Sequence, residues 1–170
     1  MIRIRNLLDL DHSLAKEYLK KCAYPWQILP SIRDMILEIE EKLDRNEFIE
    51  IKPQIFVHKT VKINDYCFIT APSIIGKNSE IRPGAFIREN VLIGENCVIG
   101  NSSEIKNSII FDNVEIPHLN YIGDSILGFN SHVGAGVVAS NVKLDKSKIT
   151  VKDGKFKYET GLIKFGAIVG

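Results

Sequence analysis

A large apolar residue returns at every sixth position between residues 57 and 111. Helices repeat about every 3.6 residues and half-buried strands every two, so neither produces this period. The series is unbroken over ten positions: Val57, Ile63, Ile69, Ile75, Ile81, Ile87, Ile93, Ile99, Ile105 and Phe111. The period therefore predicts a solenoid of short repeats rather than a conventional sheet or helical bundle.

A second, mostly small position follows each large residue after four residues. It holds Val61, Cys67, Ser73, Ser79, Ala85, Val91, Cys97, Ser103 and Ile109, with Glu115 as the exception. A hexapeptide with one bulky and one smaller inward residue is the repeat of a parallel β-helix. Coils stacked at a strand spacing of about 4.8 Å bury a continuous core without disulfides.

The regular repeat is expected to fail after Phe111. Residues 117–121 replace the next repeat, and the step from Ile122 to Leu127 is five residues. The repeat returns at Val133 and is lost again after Ala139. We expect the residues of this interval to have a role other than forming the regular coil.

Residues 1–50 predict a helical extension, and residues 51–170 the β-helix. Asp11 is a candidate cap for a helix from His12 to Cys22, and Pro30 suits the first turn of a second helix. The apolar residues of that second helix share one face: Ile32, Met35, Ile36, Ile39 and Leu43. We expect the helices to cover an open end of the coil.

The segment near residues 146–160 predicts a projecting hairpin around Asp153-Gly154. Seven lysines against three acidic residues lie between Lys143 and Lys164, and this is the only basic patch that the sequence indicates. Two interpretations stay open: a solvated loop, or a collar that attracts a phosphate-bearing ligand.

Composition excludes several classes of protein. The formal net charge is +1, so no global field draws the chain to nucleic acid or an anionic membrane. Its apolar stretches are far shorter than the roughly 20 residues of a spanning helix. The N-terminus lacks the apolar region of a secretory signal, which predicts a cytoplasmic protein. Three cysteines without CxxC spacing argue against a disulfide framework and a structural zinc site.

Three segments carry a resemblance to a known family: Ser103–Ser108, Pro117–Ser125 and Val133–Gly136. The chain resembles, over about residues 51–170, the acetyltransferase domain of bifunctional N-acetylglucosamine-1-phosphate uridyltransferases and archaeal sugar-phosphate nucleotidyltransferase/acetyltransferases. The resemblance implies an all-β fold, a left-handed parallel β-helix with three hexapeptides in each coil. It also implies a homotrimer that uses acetyl-CoA as co-substrate and no metal.

The resemblance assigns His118 as the general base that takes a proton from the sugar amine, a task for which imidazole is suited. Backbone N–H groups near Gly134 and Ala135 are candidates for the acyl-CoA site, because acyl transfer needs donors for an oxyanion. The expected activity is acyl-CoA-dependent N-acyl transfer, with acetyl the expected group, onto an amino-sugar phosphate or sugar nucleotide such as glucosamine 1-phosphate.

The remaining candidates are substrate-binding residues. The family pairs an arginine with a lysine one coil apart, and Lys106 matches the lysine. Arg82 matches the family's Arg-Pro-Gly motif, but Arg88 lies one full coil of three hexapeptides before Lys106 and is preferred because stacking places it beside that lysine. His132 stands where relatives have an asparagine. The other matched positions are Tyr121, Asn141 and Lys164.

Other interpretations were weighed against this one. The chain could be a noncatalytic sugar-nucleotide-binding or assembly module that kept the coil. A zinc-dependent carbonic anhydrase with this coil needs three converging histidines, and His12, His58, His118 and His132 show no close ligand pair. The first 50 residues contain no glycine, so the relatives' nucleotidyltransferase domain is not expected there. Relatives continue for several coils beyond the position of Gly170, so the chain is expected to stop inside a repeat.

Overall fold

The computed structural model describes residues 2–170. The helical segments come first: α1 Ile4–Leu7, a 3-10 turn Leu10–His12, α2 Lys16–Leu19, a 3-10 segment Pro25–Ser31 and α3 Ile32–Glu40. The strands follow: β1 Phe48–Lys52, β2 Ile55–His58, β3 Lys62–Ile63, β4 Phe68–Ile69, β5 Ser73–Ile75, β6 Glu80–Ile81, β7 Phe86–Ile87, β8 Val91–Ile93, β9 Val98–Asn101, β10 Glu104–Lys106, β11 Ser108–Ile110, β12 Glu115–His118, β13 Tyr121–Gly123, β14 Ile126–Leu127, β15 Val138–Ala139, β16 Thr150–Asp153, β17 Phe156–Glu159 and β18 Ile168–Val169.

Short parallel strands form the three faces of a β-helix. Face A has the order β2-β5-β8-β11-β14-β18, with β1 added antiparallel at one edge. Face B has the order β3-β6-β9-β12, and face C the order β4-β7-β10-β13-β15. The chain visits A, B and C in turn, so each coil stacks on the one before. Side chains that point inward from all three faces form the buried core.

The step between stacked residues is 18 in the first coils and 17 afterwards. Ile75 and Ile93 are stacked neighbours at the longer step. Ile110 then stacks on Ile93 at the shorter step. The expectation that Phe111 holds the inward strand position is therefore wrong, because the inward series steps by only five residues from Ile105 to Ile110.

The same shift corrects two other expectations. Val114 rather than Glu115 takes the small inward position, since Val114 is fully buried and Glu115 is exposed. Residues 117–121 do not interrupt the coil, because Ile116 pairs in parallel with Ile99 and regular pairing resumes in β13. The repeat is shortened one hexapeptide earlier than the sequence indicated.

A ladder of asparagines runs up the corner between faces A and B. Each side-chain amide donates to the asparagine oxygen of the next coil, over 3.2, 3.2 and 3.0 Å. All four residues have positive φ, between 53° and 60°, a conformation that asparagine tolerates better than most residues. The ladder consists of Asn78, Asn96, Asn113 and Asn130.

Helix α3 packs on the side of the coil and not on its end. It contacts β5 and β8 of face A. The outward side chains Ile74 and Leu92 of that face are buried. The predicted apolar face of the helix is correct, since Ile32, Met35, Ile36 and Ile39 are all buried. The expectation that the helices cover an open end is wrong for α3, because its apolar residues pack on outward apolar side chains of face A.

The helix expected from His12 to Cys22 is shorter in the structure. Only Lys16–Leu19 is α-helical, and Asp9, not Asp11, accepts the capping hydrogen bond of the preceding 3-10 turn. Asp11 instead forms an ion pair with Lys16. Pro30 lies in the 3-10 segment before α3. The stretch contacts the coil at His12, whose carbonyl accepts 3.0 Å from the backbone N–H of Asp112.

Strands β16 and β17 form a two-stranded antiparallel hairpin in the interval between β15 and β18. Gly154 has a φ of +57° in its turn. The hairpin folds back on the N-terminal segment, since the ring of Tyr158 lies 5.2 Å from that of Tyr24 and 6.2 Å from that of Trp26. Among residues 2–170, no helix has the length and apolarity required to cross a membrane.

The three cysteines are free thiols. Cys97 is buried between the coils, and this burial raises the pKa of its thiol to about 12. Cys22 and Cys67 are partly buried, and burial raises the pKa of each thiol as well. These thiols therefore belong to the core and its margin, and not to a reactive site.

The asparagine ladder gives a first test. We expect Asn96→Ala to lower the free energy of unfolding by about 1–3 kcal/mol, because alanine strains the left-handed conformation and removes two ladder bonds. Asn96→Gly removes the same bonds without strain and should cost less. Urea unfolding of both variants measures this. Equal losses in the two variants would show that backbone strain contributes nothing at this corner.

Candidate active site

The predicted site residues lie at the two corners that border face C. His118 ends β12 of face B, and Tyr121 begins β13 of face C. We call the turn between them the B–C corner. Lys106 ends β10 of face C, and Ser108 begins β11 of face A. This second turn is the C–A corner.

His118 is exposed at the B–C corner and is anchored through one ring nitrogen. It pairs in register with Asn101 of the coil below, and its Nδ1 lies 3.1 Å from Asn101 Oδ1. An amide oxygen only accepts hydrogen bonds, so Nδ1 carries the proton in this arrangement. In the neutral ring, Nε2 then has the lone pair and points away from Asn101, which is the tautomer that a general base needs.

Asn120 fixes the backbone around His118. Its side chain is buried, and its Oδ1 accepts a hydrogen bond of 3.1 Å from the backbone N–H of His118. Its Nδ2 donates 2.7 Å to the carbonyl of Gly134, one coil further on. The N–H of Gly136 in turn donates 3.1 Å to the carbonyl of His118. The histidine and the Gly134–Gly136 turn are thus held together as neighbours.

Arg88 and Lys106 are stacked neighbours at the C–A corner, as the preferred alignment expected. Arg88 Nη1 donates 2.9 Å to Glu104 Oε1, and this hydrogen bond is the main cause that raises the pKa of the Arg88 guanidinium. Glu89 lies between the two cations, with oxygens 3.6 Å from Arg88 Nε and 3.7 Å from Lys106 Nζ. Two carboxylates therefore already neutralise both cations.

The backbone of Tyr121 lies at the B–C corner, but its hydroxyl reaches Asn141 at the C–A corner. There Asn141 lies over a buried carboxylate, that of Asp124. The amide of Asn141 donates 3.3 Å to the hydroxyl of Tyr121 and also to Asp124 Oδ2. The other oxygen of Asp124 accepts 2.8 Å from Asn107, whose amide also reaches the carbonyl of Leu29 at 3.3 Å. Asp124 thereby connects the substrate-site candidates to the helical extension.

Lys164 is close to this cluster but is not part of its hydrogen bonds. It bridges to Val142 across the base of the hairpin segment. It lines a cavity of about 170 Å³ together with Asn107, Asp124 and Leu162. Its side chain is exposed at the rim of the C–A corner.

Arg82 and His132 lie away from the two clusters. Arg82 forms an ion pair with Glu80 at 3.3 Å in the second coil, well below His118 along the axis. His132 lies on face B, where its Nδ1 is 3.0 Å from Glu115 Oε2. The structure groups His118 with Gly134 and Ala135, and Arg88 with Lys106, Tyr121 and Asn141. It leaves Arg82 and His132 outside both groups.

The four histidines do not converge. His12 stacks on Phe129 with ring centroids 3.6 Å apart, and His58 is paired with Glu47 at 2.9 Å. Within residues 2–170, no group of three or more His, Cys, Asp or Glu side chains is arranged to hold a metal ion.

Sequence reasoning missed the partners of the candidate residues. Asn101 lies one coil before His118, and Asp124 lies one coil before Asn141. The two members of each pair stack directly on each other only because the later coils step by 17 residues instead of 18. The missed carboxylates of the C–A corner, Glu89 and Glu104, directly follow or stack beside residues that the sequence did single out.

Comparison with known proteins agrees with the β-helix fold. Residues 52–155 match the family model described as the EIF2B subunit epsilon LbH domain. The chain is 36% identical over 157 residues to the "Bifunctional protein GlmU" of Methanococcus maripaludis strain C5, covering 90% of this chain and 38% of that protein. It is 28% identical over 172 residues to the "Bifunctional sugar-1-phosphate nucleotidylyltransferase/acetyltransferase" of Sulfurisphaera tokodaii, covering 97% of this chain and 43% of that protein.

The chain thus spans about two fifths of the length of these relatives. Among solved structures, the "Acetyltransferase domain of PglB" from Neisseria gonorrhoeae superposes with a TM-score of 0.51 at 14% identity, covering 64% of this chain and 51% of that one. At this identity the likeness shows the fold, which is a left-handed parallel β-helix.

The Asp124 cluster gives a second test. We expect Asp124→Ala to lower the free energy of unfolding by about 1–3 kcal/mol, because it removes the carboxylate that accepts from both Asn107 and Asn141 and places alanine at a φ of +49°. Asp65→Ala, at an exposed position of the first coil, is the matched control and should change little. Chemical denaturation of the two variants compares them. Equal stabilities would contradict the role of this carboxylate.

Proposed function

The chain belongs to the family of left-handed β-helix domains represented by the EIF2B subunit epsilon LbH model, and on this coil we propose that it is an acyl-CoA-dependent N-acyltransferase. The acceptor is the amine of an amino-sugar phosphate or sugar nucleotide, with acetyl as the acyl group and glucosamine 1-phosphate as the simplest acceptor. The observation that carries the proposal is the exposed His118, whose anchored Nδ1 leaves Nε2 as a base.

The name of one relative supports this choice of chemistry. The Sulfurisphaera tokodaii protein is named as a nucleotidylyltransferase/acetyltransferase of sugar 1-phosphates, and the match covers 97% of this chain. The chain spans 43% of that relative, so we propose for it only the transferase half of that name. Cytoplasmic location, expected from the sequence, is part of the same proposal.

The reaction needs few groups from the protein. The sugar amine attacks the thioester carbonyl, a C–N bond forms, and the C–S bond breaks to release CoA as its thiol. His118 Nε2 takes the proton that the amine loses, and this proton neutralises the departing thiolate. The backbone N–H groups of Gly134 and Ala135 donate to no backbone acceptor among residues 2–170, so they are open to an oxyanion beside His118.

The C–A corner is proposed to hold the phosphate of the acceptor. Arg88 and Lys106 are adjacent cations, and a phosphate favours such a pair. Tyr121 lies on face C between this corner and His118, and is proposed to contact the sugar. Because Glu89 and Glu104 occupy the cations in the free chain, a phosphate must displace at least one carboxylate.

A homotrimer is proposed on the basis of face C. Three of its outward side chains, Phe68, Phe86 and Val138, are 69%, 38% and 65% exposed. Face A is covered by the chain's own helix, so face C is the apolar side wall that remains. A neighbouring copy packed there would bury these residues and close the space between the two corners.

One observation favours the noncatalytic alternative. The four charges of the C–A corner cancel without a ligand, as they would in a structural ion-pair network. A sugar-nucleotide-binding or assembly module would keep such a network and the coil without transferring an acyl group. Ligand binding without turnover separates the two functions.

Release of the CoA thiol tests the proposal. We expect release from acetyl-CoA that depends on glucosamine 1-phosphate, and a loss of about 10²- to 10⁴-fold in His118→Ala, the usual contribution of a general base. Lys62→Ala, exposed on face B in the first coil, is the surface control. The fold of His118→Ala is checked by thermal unfolding, since its side chain makes a single hydrogen bond. Sugar-dependent release that survives in His118→Ala would remove the proposed base.

The carboxylate of Glu89 gives a separate prediction. We expect Glu89→Gln to lower the KM for the sugar phosphate about twofold to fivefold, because one competitor of the phosphate loses its charge while kcat stays unchanged. Glu95→Gln makes the same charge change at an exposed position away from face C and should leave KM as it is. An unchanged or higher KM in Glu89→Gln would show that Glu89 orients the cations rather than competing for them.

A further inference from the structure

A second basic cluster forms where residues 3–6 of the helical extension meet residues 20–23. The backbone N–H of Ile4 donates 3.1 Å to the carbonyl of Ala23, which brings two distant pairs of basic residues together. The resulting cavity of about 450 Å³ is lined by four cations and no acidic residue. The four cations are Arg3, Arg5, Lys20 and Lys21. The sequence indicated a single basic patch, and that expectation was wrong because the pairs are separated along the chain.

Three of these four cations have no ion-pair partner in the part of the chain that the structure describes. Among residues 2–170, no carboxylate lies within ion-pair distance of Arg3, Arg5 or Lys21. Lys20 is paired with Glu17 at 2.7 Å on the exposed surface. With a net charge of +1 for the whole chain, four cations around one cavity are a local field that favours an anion.

An aromatic cleft adjoins this cavity. It has a volume of about 570 Å³ and lies between the N-terminal segment and the tip of the β16–β17 hairpin. Tyr24 is held by stacking on Trp26 with ring centroids 4.8 Å apart, and Tyr158 packs against both. Phe156 is 68% exposed at the rim, and no other ring of the described chain stacks on it.

Arg3 lines both cavities, so the aromatic cleft and the cationic cavity share a wall. An open phenylalanine face beside Lys155 suits a nucleobase, because bases stack on aromatic rings and any base has such a face. Arg5 and Lys21, which have no ion-pair partner among residues 2–170, suit the phosphates that the nucleoside carries, and Lys20 can join them from its exposed pair with Glu17. The one carboxylate of the cleft, Asp153, lines its aromatic half and not the cationic cavity. The two halves of a nucleotide thus have complementary surfaces at one place.

We propose that this joint cleft is a nucleotide site, with the base on Phe156 and two phosphoryl groups among Arg5, Lys20 and Lys21. It lies on the helical extension and hairpin, outside the two corners of face C, and the proposal does not depend on acyl transfer. A nucleoside 5′-diphosphate is part of a sugar nucleotide and also of CoA, whose adenosine carries an additional 3′-phosphate. Both present a base next to phosphates, and the choice of probe distinguishes the two sources.

Calorimetric titration at low ionic strength tests the site, with the full chain and with His118→Ala. The probes are UDP, adenosine 3′,5′-bisphosphate and inorganic pyrophosphate. We expect Phe156→Ala to weaken at least one of the two nucleotides about tenfold, the effect of one lost base–aromatic stack, and to leave pyrophosphate unchanged. The double variant Arg5→Gln, Lys21→Gln should weaken all three probes.

Two matched controls separate local from general effects. Tyr66→Ala removes an exposed ring in the first coil, and Lys62→Gln removes a cation on face B, so neither should change nucleotide binding. Preference for UDP identifies a sugar nucleotide as the source, and preference for the bisphosphate identifies CoA.

Nucleotide affinity equal in Phe156→Ala and the wild type would overturn the proposal. Binding of a single-stranded oligonucleotide without any mononucleotide binding would overturn it as well. Binding that persists in His118→Ala separates this site from the transferase.

Discussion

The structure depends on one constraint, the hydrogen bonding of each coil to the next. In a parallel β-helix the strands of successive coils are neighbours, so a residue is placed by its column rather than by its neighbours in sequence. Shortening one coil by a single residue moves every later side chain to another column. The change from the longer to the shorter step at β11 therefore decides what surrounds His118, although it occurs before that residue in the chain. The asparagine ladder follows the same change, since its spacing drops from 18 to 17 residues at Asn113 without losing a hydrogen bond.

The sequence predicted the coil because its signal is repeated ten times, and an inward isoleucine in almost every hexapeptide leaves little choice of fold. It could not predict where the coil shortens. Ile109, Ile110 and Phe111 are consecutive large apolar residues, and all three are fully buried. Either register satisfies the hydrophobic pattern there, so only the hydrogen bonds to β8 decide that Ile110 faces inward. The helical extension shows the converse case. The apolar stripe of α3 was evident from its spacing, but the surface it covers depends on how apolar face A is, which involves residues of several coils.

The candidate site shows the same division between what the sequence predicted and what it could not predict. Resemblance singled out His118 and Tyr121, because motif positions are local in sequence. Arg88 came instead from its spacing of one full coil before Lys106. Their partners come from other coils and are invisible until the coil length is known. Asn101 acts on His118 from one coil below, and Glu104 acts on Arg88 from one coil above. Arg82 illustrates the risk of relying on motif spelling, since it carries the Arg-Pro-Gly sequence but lies in the second coil with Glu80 as its partner.

The C–A corner shows why placement alone does not define a binding site. Two adjacent cations repel each other, and a folded chain with no ligand needs counter-charges to hold them side by side. Glu89 and Glu104 supply these charges, so Arg88 and Lys106 are already oriented when a ligand arrives. The same carboxylates subtract from the attraction that a phosphate would feel. Recognition of a phosphate here is therefore an exchange of one anion for another, and its affinity depends on the difference between the two. A bidentate phosphate can bridge both cations, as Glu89 does at 3.6 and 3.7 Å, whereas Glu104 reaches only Arg88. The difference in geometry therefore favours the phosphate over Glu104, while against Glu89 the phosphate must win by its larger charge.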